Sequence, residues 1–281
     1  MAEHEPFDFS VIPEKKSGEV KMAGASQSKN LCPEDNQDAF FIDPIHQSFG
    51  VFDGVNGVPN GKLAAETCSK LIQQYLSELS RYYPNFSNEG IEESLQSICS
   101  KTTSAIYKLR QESDTKMGTT GVFGIITTKP DGTRKAFIAN IGDSRAYLIR
   151  HHVLYKETQD QNYVPYPDQD TLDKLKGKKL IKFKKSLIND DRIIGQLYGE
   201  EQIFPQIKEI DLEPKDVLLL VTDGIYKNLT SREISSTYKK NRHEDIEIIS
   251  QKFIKRAYHR SQENHSRSTP DDLTAVVIKL K

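Results

Sequence analysis

Carboxylates recur in this chain at the ends of apolar runs. Asp53 closes Phe49-Gly50-Val51-Phe52 and is followed by Gly54, Val55, Asn56 and Gly57. Asp223 closes Asp216-Val217-Leu218-Leu219-Leu220-Val221-Thr222 and is again followed by glycine, Gly224. Asp271 and Asp272 open Leu273-Thr274-Ala275-Val276-Val277-Ile278, and Asp143 follows Ala136-Phe137-Ile138-Ala139-Asn140-Ile141-Gly142. Short apolar runs bounded by turn-formers read as buried strands. A single strand ending in Asp-Gly is an ordinary turn. Repetition changes that reading, because carboxylates gathered on one sheet edge repel one another unless a divalent cation lies among them. Oxygen ligands of this kind suit Mg²⁺ or Mn²⁺, and the lack of Cys/His clusters argues against a structural zinc site. Glycine after the aspartate lets the main chain approach an ion closely.

Elements must exist to carry these residues to one place. Asn36 to Ile42 reads as a strand and Phe49 to Phe52 as its hairpin partner, with Asp43-Pro44 ending the first. From Lys62 to Leu79, Leu63, Ala64, Cys68, Leu71, Ile72, Tyr75, Leu76 and Leu79 recur at helical spacing. A second helix spans about Gly90 to Gln111, with Ile91, Leu95, Ile98, Cys99, Ile106 and Leu109 inward, and the two pair antiparallel. Strands follow at Thr119 to Thr128, Lys135 to Ile141 and Arg145 to Ile149, the first two joined by a Pro130-Asp131-Gly132 turn. Thr230-Ser231-Arg232-Glu233 fits a capping box opening a helix, and Glu244 to Tyr258 forms another. Strands, two helices, strands, two helices and a strand make an α+β layering, because regular βαβ alternation is missing. Residues 1 to 19 are a lead-in or short edge strand, and residues 20 to 281 form the domain. Within it, about 156 to 202 is read as a flap insert holding the basic run from Lys174 to Lys185. That run is a solvated face or a contact for a phosphorylated partner.

Bulk properties narrow the function classes. The 281 residues carry 39 basic and 40 acidic side chains, a net charge of -1, so no global field favours nucleic acid or acidic membranes. No apolar run reaches the roughly 20 residues of a membrane span, and the acidic start lacks a signal-peptide core. Cys32, Cys68 and Cys99 have no metal-like spacing and are read as packing residues in a reducing compartment. A soluble cytoplasmic protein is expected.

The motifs Asn36-Gln37-Asp38-Ala39, Phe52-Asp53-Gly54-Val55-Asn56-Gly57, Gly118-Thr119-Thr120, Ile141-Gly142-Asp143-Ser144-Arg145, Thr222-Asp223-Gly224 and Asp271-Asp272-Leu273-Thr274 stand in the order found in type 2C metal-dependent protein phosphatases. The chain resembles that family over roughly residues 20 to 281. The resemblance implies a four-layer αββα sandwich, two antiparallel sheets flanked by helix pairs, with a binuclear Mn²⁺ or Mg²⁺ centre at one end. It implies that Asp53 bridges the two ions, that the Gly54 carbonyl ligates one, and that Asp223 and Asp271 complete the other. Asp38 would hold water from behind, and Asp143 with Asp223 resembles a third, weaker metal site. Taken alone, Asp143 reads equally as a turn cap, and Thr119 and Thr120 as residues that shape the sheet. The implied reaction is hydrolysis of phosphoserine or phosphothreonine on a protein by a metal-activated water. A phosphorylated protein is the implied partner, and a monomer is expected.

Departures from the family pattern bear on activity. Val55 stands where many relatives have a histidine acid, and Pro33 where many have a phosphate-gripping arginine; Lys29 and Arg192 are candidate replacements. Asn56 replaces a glycine but tolerates left-handed backbone, and Asp272 replaces an asparagine, adding negative charge near the ions. The missing histidine and arginine favour a rival reading, a catalytically weak phosphatase-like binding or scaffold module. The retained aspartates favour the enzyme.

Overall fold

The computed structural model describes residues 10–12, 20–55, 60–82, 90–129, 131–161 and 197–281. Among these residues eleven strands form two antiparallel sheets. One has the order β1 (Ser10–Ile12), β2 (Val20–Gln27), β11 (Leu273–Leu280), β10 (Val217–Val221), β7 (Arg145–Arg150) and β8 (Val153–Lys156). The other runs β3 (Asp38–Asp43), β4 (Ser48–Gly54), β5 (Thr119–Thr128), β6 (Arg134–Ile141) and β9 (Gln206–Leu212). Helices α1 (Gly61–Tyr82) and α2 (Ile91–Ser113) cover the second sheet. The first is covered by α3 (Asp223–Asn228), α4 (Ser231–Asn241) and α5 (Ile246–Gln262). This is the α+β, four-layer αββα sandwich expected from the sequence.

Strand periodicity explains why β10 and β11 are apolar throughout. Alternate residues of a strand face opposite sides. Val217, Leu219 and Val221 lie with Ala275 and Val277 under α5, in a cluster with Phe253 and Ile254. Leu218, Leu220, Val276 and Ile278 face the other sheet and meet Phe49, Val51, Val122 and Ile138. A third cluster joins Phe52, Phe123 and Phe137 to Ala65, Cys68, Ile72, Leu95 and Cys99 of α1 and α2. Layers so filled fix the register, since a one-residue slip would turn each apolar set to the wrong side.

Helix α4 begins as its sequence predicts: Glu233 N donates to Thr230 Oγ1 at 3.2 Å, and Thr230 N donates back to Glu233 Oε2 at 2.9 Å. Other expectations need correction. Leu63 lies on the open side of α1, 46 % exposed, because the buried stripe starts at Ala64 and Ala65. Asp223-Gly224 opens the six-residue helix α3 instead of a turn. Strands β8 and β9 carried no sequence signal; β9 reads Gln206-Ile207-Lys208-Glu209-Ile210-Asp211-Leu212, with only Ile210 and Leu212 buried. Cys68 and Cys99 are buried in the core, but Cys32 sits at a turn with its Sγ 3.0 Å from Glu34 Oε2. β1 lies within the expected lead-in and pairs with β2 as a short edge strand. The basic run, Arg192, Asn56 and Gly57 fall outside the described residues. Among the described residues no helix is long and apolar enough to cross a membrane.

Candidate metal centre

One end of the layer between the sheets collects the acidic residues. Asp53 shares the inner face of β4 with Phe49 and Val51, and the β3–β4 register sets Asp38 directly opposite it. Like charges directly across a strand pair repel. Asp223 arrives from the end of β10, Asp271 from just before β11, and Asp143 from the turn between β6 and β7. Burial pushes the Asp53 carboxyl well above the ordinary range, and the charges of Asp223, Asp38, Asp271 and Asp143 raise it further. Burial, then the Asp223 charge, pushes Asp143 up to about 6 and Asp271 up to about 7. Asp53 therefore feels each of the other four predicted carboxylates. Their separation in sequence, from residue 38 to residue 271, is closed by the sandwich.

Asp38 is held by a hydrogen-bond chain across both sheets. Its Oδ2 accepts from Thr222 Oγ1 at 2.8 Å and from Thr274 Oγ1 at 2.7 Å. Thr222 Oγ1 in turn accepts from Thr274 N at 3.0 Å. Because the Thr274 hydroxyl proton goes to Asp38, Ser26 Oγ donates to Thr274 Oγ1 at 2.7 Å and accepts from Asn36 Nδ2 at 2.8 Å. Asp38 Oδ2 is thus saturated while Oδ1 has no hydrogen-bond partner. Burial raises its pKa well above the ordinary value, with the Asp272 charge adding to the shift. Ser26, Thr222 and Thr274 have no role that the motifs alone reveal. Their common signal was a hydroxyl at the inner-facing position of each strand end.

Tight backbone surrounds the acids. A Cβ at Gly54 would meet the main chain of Gly61 and the carbonyl of Gln37, and one at Gly224 would collide with the Asp272 carbonyl. Glycine at both positions is a steric requirement. Asp272 adds its charge beside Asp38 and is itself tied to the main chain: its Oδ1 accepts from Lys29 N and its Oδ2 from Gln37 N, both at 2.9 Å. It ties the loop leading to Asp38 down to β11. Thr119 Oγ1 donates to the Asp53 carbonyl at 2.8 Å, consistent with a role in shaping the sheet. Val55 carries its backbone N–H to Gly118 O at 3.1 Å and offers no titratable group. Pro33 opens a short 3-10 helix (Pro33–Asp35), where Lys62 Nζ reaches Glu34 O at 2.6 Å. A cavity of about 460 Å³ flanks Asp38, lined by Ser26, Pro33, Asn36, Lys62 and Lys70 among others.

The donor set fits hard divalent cations. Asp38 Oδ1, Asp143 Oδ1 and Asp223 Oδ1 are all buried without a hydrogen-bond partner. Each such atom costs about 1–3 kcal/mol, more when charged. Orphaned carboxylate oxygens crowded with like charges are what a Mg²⁺ or Mn²⁺ site supplies. Among the described residues no three Asp, Glu, His or Cys side chains close on one point as a finished chelate. Instead Asp223 Oδ2 is engaged by Lys227 Nζ at 2.5 Å.

The protein phosphatase 2C family model matches residues 24–264. The chain belongs to the protein phosphatase 2C family. It is 24 % identical over 270 residues to protein phosphatase 2C homolog 7, mitochondrial, of Saccharomyces cerevisiae, covering 87 % of this chain and 74 % of that protein. It is 27 % identical over 198 residues to serine/threonine phosphatase stp of Listeria monocytogenes, covering 68 % and 71 %. The catalytic domain of serine threonine protein phosphatase PstP in complex with 2 manganese ions shares the fold, with a TM-score of 0.67, 20 % identity, and 93 % and 98 % of the two chains covered. The protein phosphatase 2C fold thus accounts for both sheets and the helices packed on them.

Proposed function

We propose that the chain hydrolyses phosphoserine and phosphothreonine on proteins at the acidic end of the sandwich, using two Mn²⁺ or Mg²⁺ ions. Asp53, the Gly54 carbonyl, Asp223 and Asp271 would hold them. The observation that carries this reading is the convergence of five buried or half-buried carboxylates with three unpaired oxygens. Family membership and the named activity of the Listeria relative support the substrate class. When bound, the ions supply positive charge to the phosphate oxygens and a water acidic enough to attack phosphorus.

The chain's own residues supply position. Thr222 and Thr274 fix Asp38 by Oδ2, so that Oδ1 can accept a proton from the attacking water and orient it. The water oxygen bonds to phosphorus as the bond to the seryl or threonyl oxygen breaks, and that leaving oxygen needs a proton. Val55 has none to give, so a water at the metal centre would deliver it. Lys62, with its ammonium beside Pro33, flanks the cavity next to Asp38 and is a candidate cation for the phosphopeptide. A single chain carries the whole set, so the proposed site needs no second copy to complete it.

The test is hydrolysis of an aryl phosphate and of a phosphothreonine peptide with Mn²⁺, with Mg²⁺ and with chelator, beside Asp223→Asn. Metal-dependent turnover of both substrates, faster on the better leaving group and lost in the variant, is expected. Manganese-linked stabilisation without turnover of either substrate would replace this reading with the binding module, which the absence of histidine at Val55 and of arginine at Pro33 favours.

A further inference from the structure

Lys227 stands one turn after Asp223 in α3, with Nζ 2.5 Å from Asp223 Oδ2 and both side chains 11 % exposed. Ion pairs at this spacing on an open helix face are screened and weak. This one is shielded, and it faces more than its partner. The Lys227 charge also acts on Asp143 and Asp271, opposing the upward shift of each. Asp143 Oδ1 and Asp223 Oδ1 both lack hydrogen-bond partners, in residues 5 % and 8 % exposed. Another nearby cation is committed elsewhere: Arg145 lies 3.4 Å over the Tyr226 ring but spends its Nε and Nη2 on Asp160, at 2.9 and 2.6 Å.

We propose that the Lys227 ammonium takes the place of a third divalent ion, neutralising the Asp143–Asp223 pair with a cation built into the chain, so that the protein binds two ions and not three. The third ion that the resemblance implies would share Asp223 and Asp143, and an ammonium already in contact with Asp223 opposes it by charge and by space. Lysine suits this role because its head group is a compact point charge on a long stem. The inference rests on the proposed reading that Asp53, Asp223 and Asp271 hold two ions. It adds that this chain carries its own third cation.

Manganese stoichiometry tests it directly. Equilibrium dialysis of the full chain against Mn²⁺, with bound metal counted by atomic absorption, should give two ions for the wild type. Lys227→Asp should gain a third, weaker site. Three ions bound by the wild type, or two by Lys227→Asp at saturation, would overturn the inference. No ion bound by the wild type would instead remove the metal-centre reading beneath it. Lys227→Gln guards against a variant that fails to fold. Its melting temperature should fall by several degrees in chelator and recover most of that loss in saturating Mn²⁺. An equal drop in both conditions would show Lys227 to be only a structural ion-pair partner.

Discussion

Strand β10 has a buried aspartate just before it, Asp216, and another just after it, Asp223; they are 1 % and 8 % exposed. Around Asp216 every oxygen is used. Arg150 Nε donates to Oδ1 at 3.0 Å, Arg150 Nη2 donates to Oδ2 at 2.6 Å, and Glu213 N adds a bond at 2.8 Å. Around Asp223 one oxygen has Lys227, the other has no hydrogen-bond partner, and Asp53, Asp143 and Asp271 press on it with like charge. The same strand thus ends in a closed ion pair on one side and an unfinished one on the other. A fully satisfied buried charge serves the fold, whereas one left part-satisfied among like charges costs stability and is poised for a ligand. Such a trade of stability for function is common at working sites.

The contrast breaks most sharply under charge removal. Asp223→Asn should lower metal-dependent hydrolysis by more than the roughly 10–100-fold typical of outer-shell changes, because it deletes a proposed ligand. Asp53→Asn should do the same, yet stabilise the metal-free protein by about 0.2–1 kcal/mol by relieving its cross-strand repulsion with Asp38. An active Asp53→Asn, Asp223→Asn double variant would sink the mechanism. At the other end Arg150→Ala should cost about 3 kcal/mol, since it strands a buried carboxylate. Thermal unfolding would show that loss, while kcat/KM of the folded variant stays at the wild-type value. A loss of stability at Asp223 equal to that at Arg150 would erase the distinction between the two ends.

How much of this was readable beforehand depended on whether the signal was local. Phe49 to Asp53 and Val217 to Asp223 announce themselves because a strand buried on both sides must be apolar throughout and can bear its charge only where it ends. The α1 stripe and the Thr230–Glu233 capping box are equally local. The chain from Asn36 through Ser26, Thr274 and Asp38 to Thr222 is not, for it joins small hydroxyls up to 248 residues apart that look like ordinary strand residues. Asp272 is only half legible for the same reason. In sequence it reads as extra charge beside the ions, whereas its oxygens are taken by two main-chain donors from another strand's approach loop. Strand β9 escaped notice because it lies at a sheet edge with exposed polar residues, and only two of its side chains are buried.

Asp272 offers a finer test of the same contrast. Asparagine keeps one acceptor where two N–H groups arrive, so its amide would confront either Lys29 N or Gln37 N. Asp272→Asn should therefore cost about 1–2 kcal/mol. It should also slow turnover, because Gln37 directly precedes Asp38. Unchanged stability with lowered metal affinity would return Asp272 to the metal centre and blur the boundary between the two kinds of acid.

The gentlest probe is pH. Asp143 and Asp271 have folded-state pKa values raised to about 6 and about 7 by burial and by Asp223, above the value of about 3.9 in an unfolded chain. The folded protein holds protons that the unfolded chain has released, so the stability these groups contribute is full below about pH 4 and is lost as pH rises through 6 and 7. Glu233 runs the other way. Burial raises it, but the Thr230 N–H and hydroxyl and Arg260 outweigh burial and bring it to about 2. Its contribution is present above about pH 4.3 and disappears as pH falls toward 2. Chelator-treated protein should therefore melt highest near pH 4 to 5, below the more usual range of about 5 to 8. Adding Mn²⁺ should move that maximum toward neutrality, because the ion binds the ionised carboxylates and stabilises the folded state by mass action. A metal-free profile that climbs steadily to pH 7 would mean the acids at the Asp223 end are as well paired as Asp216.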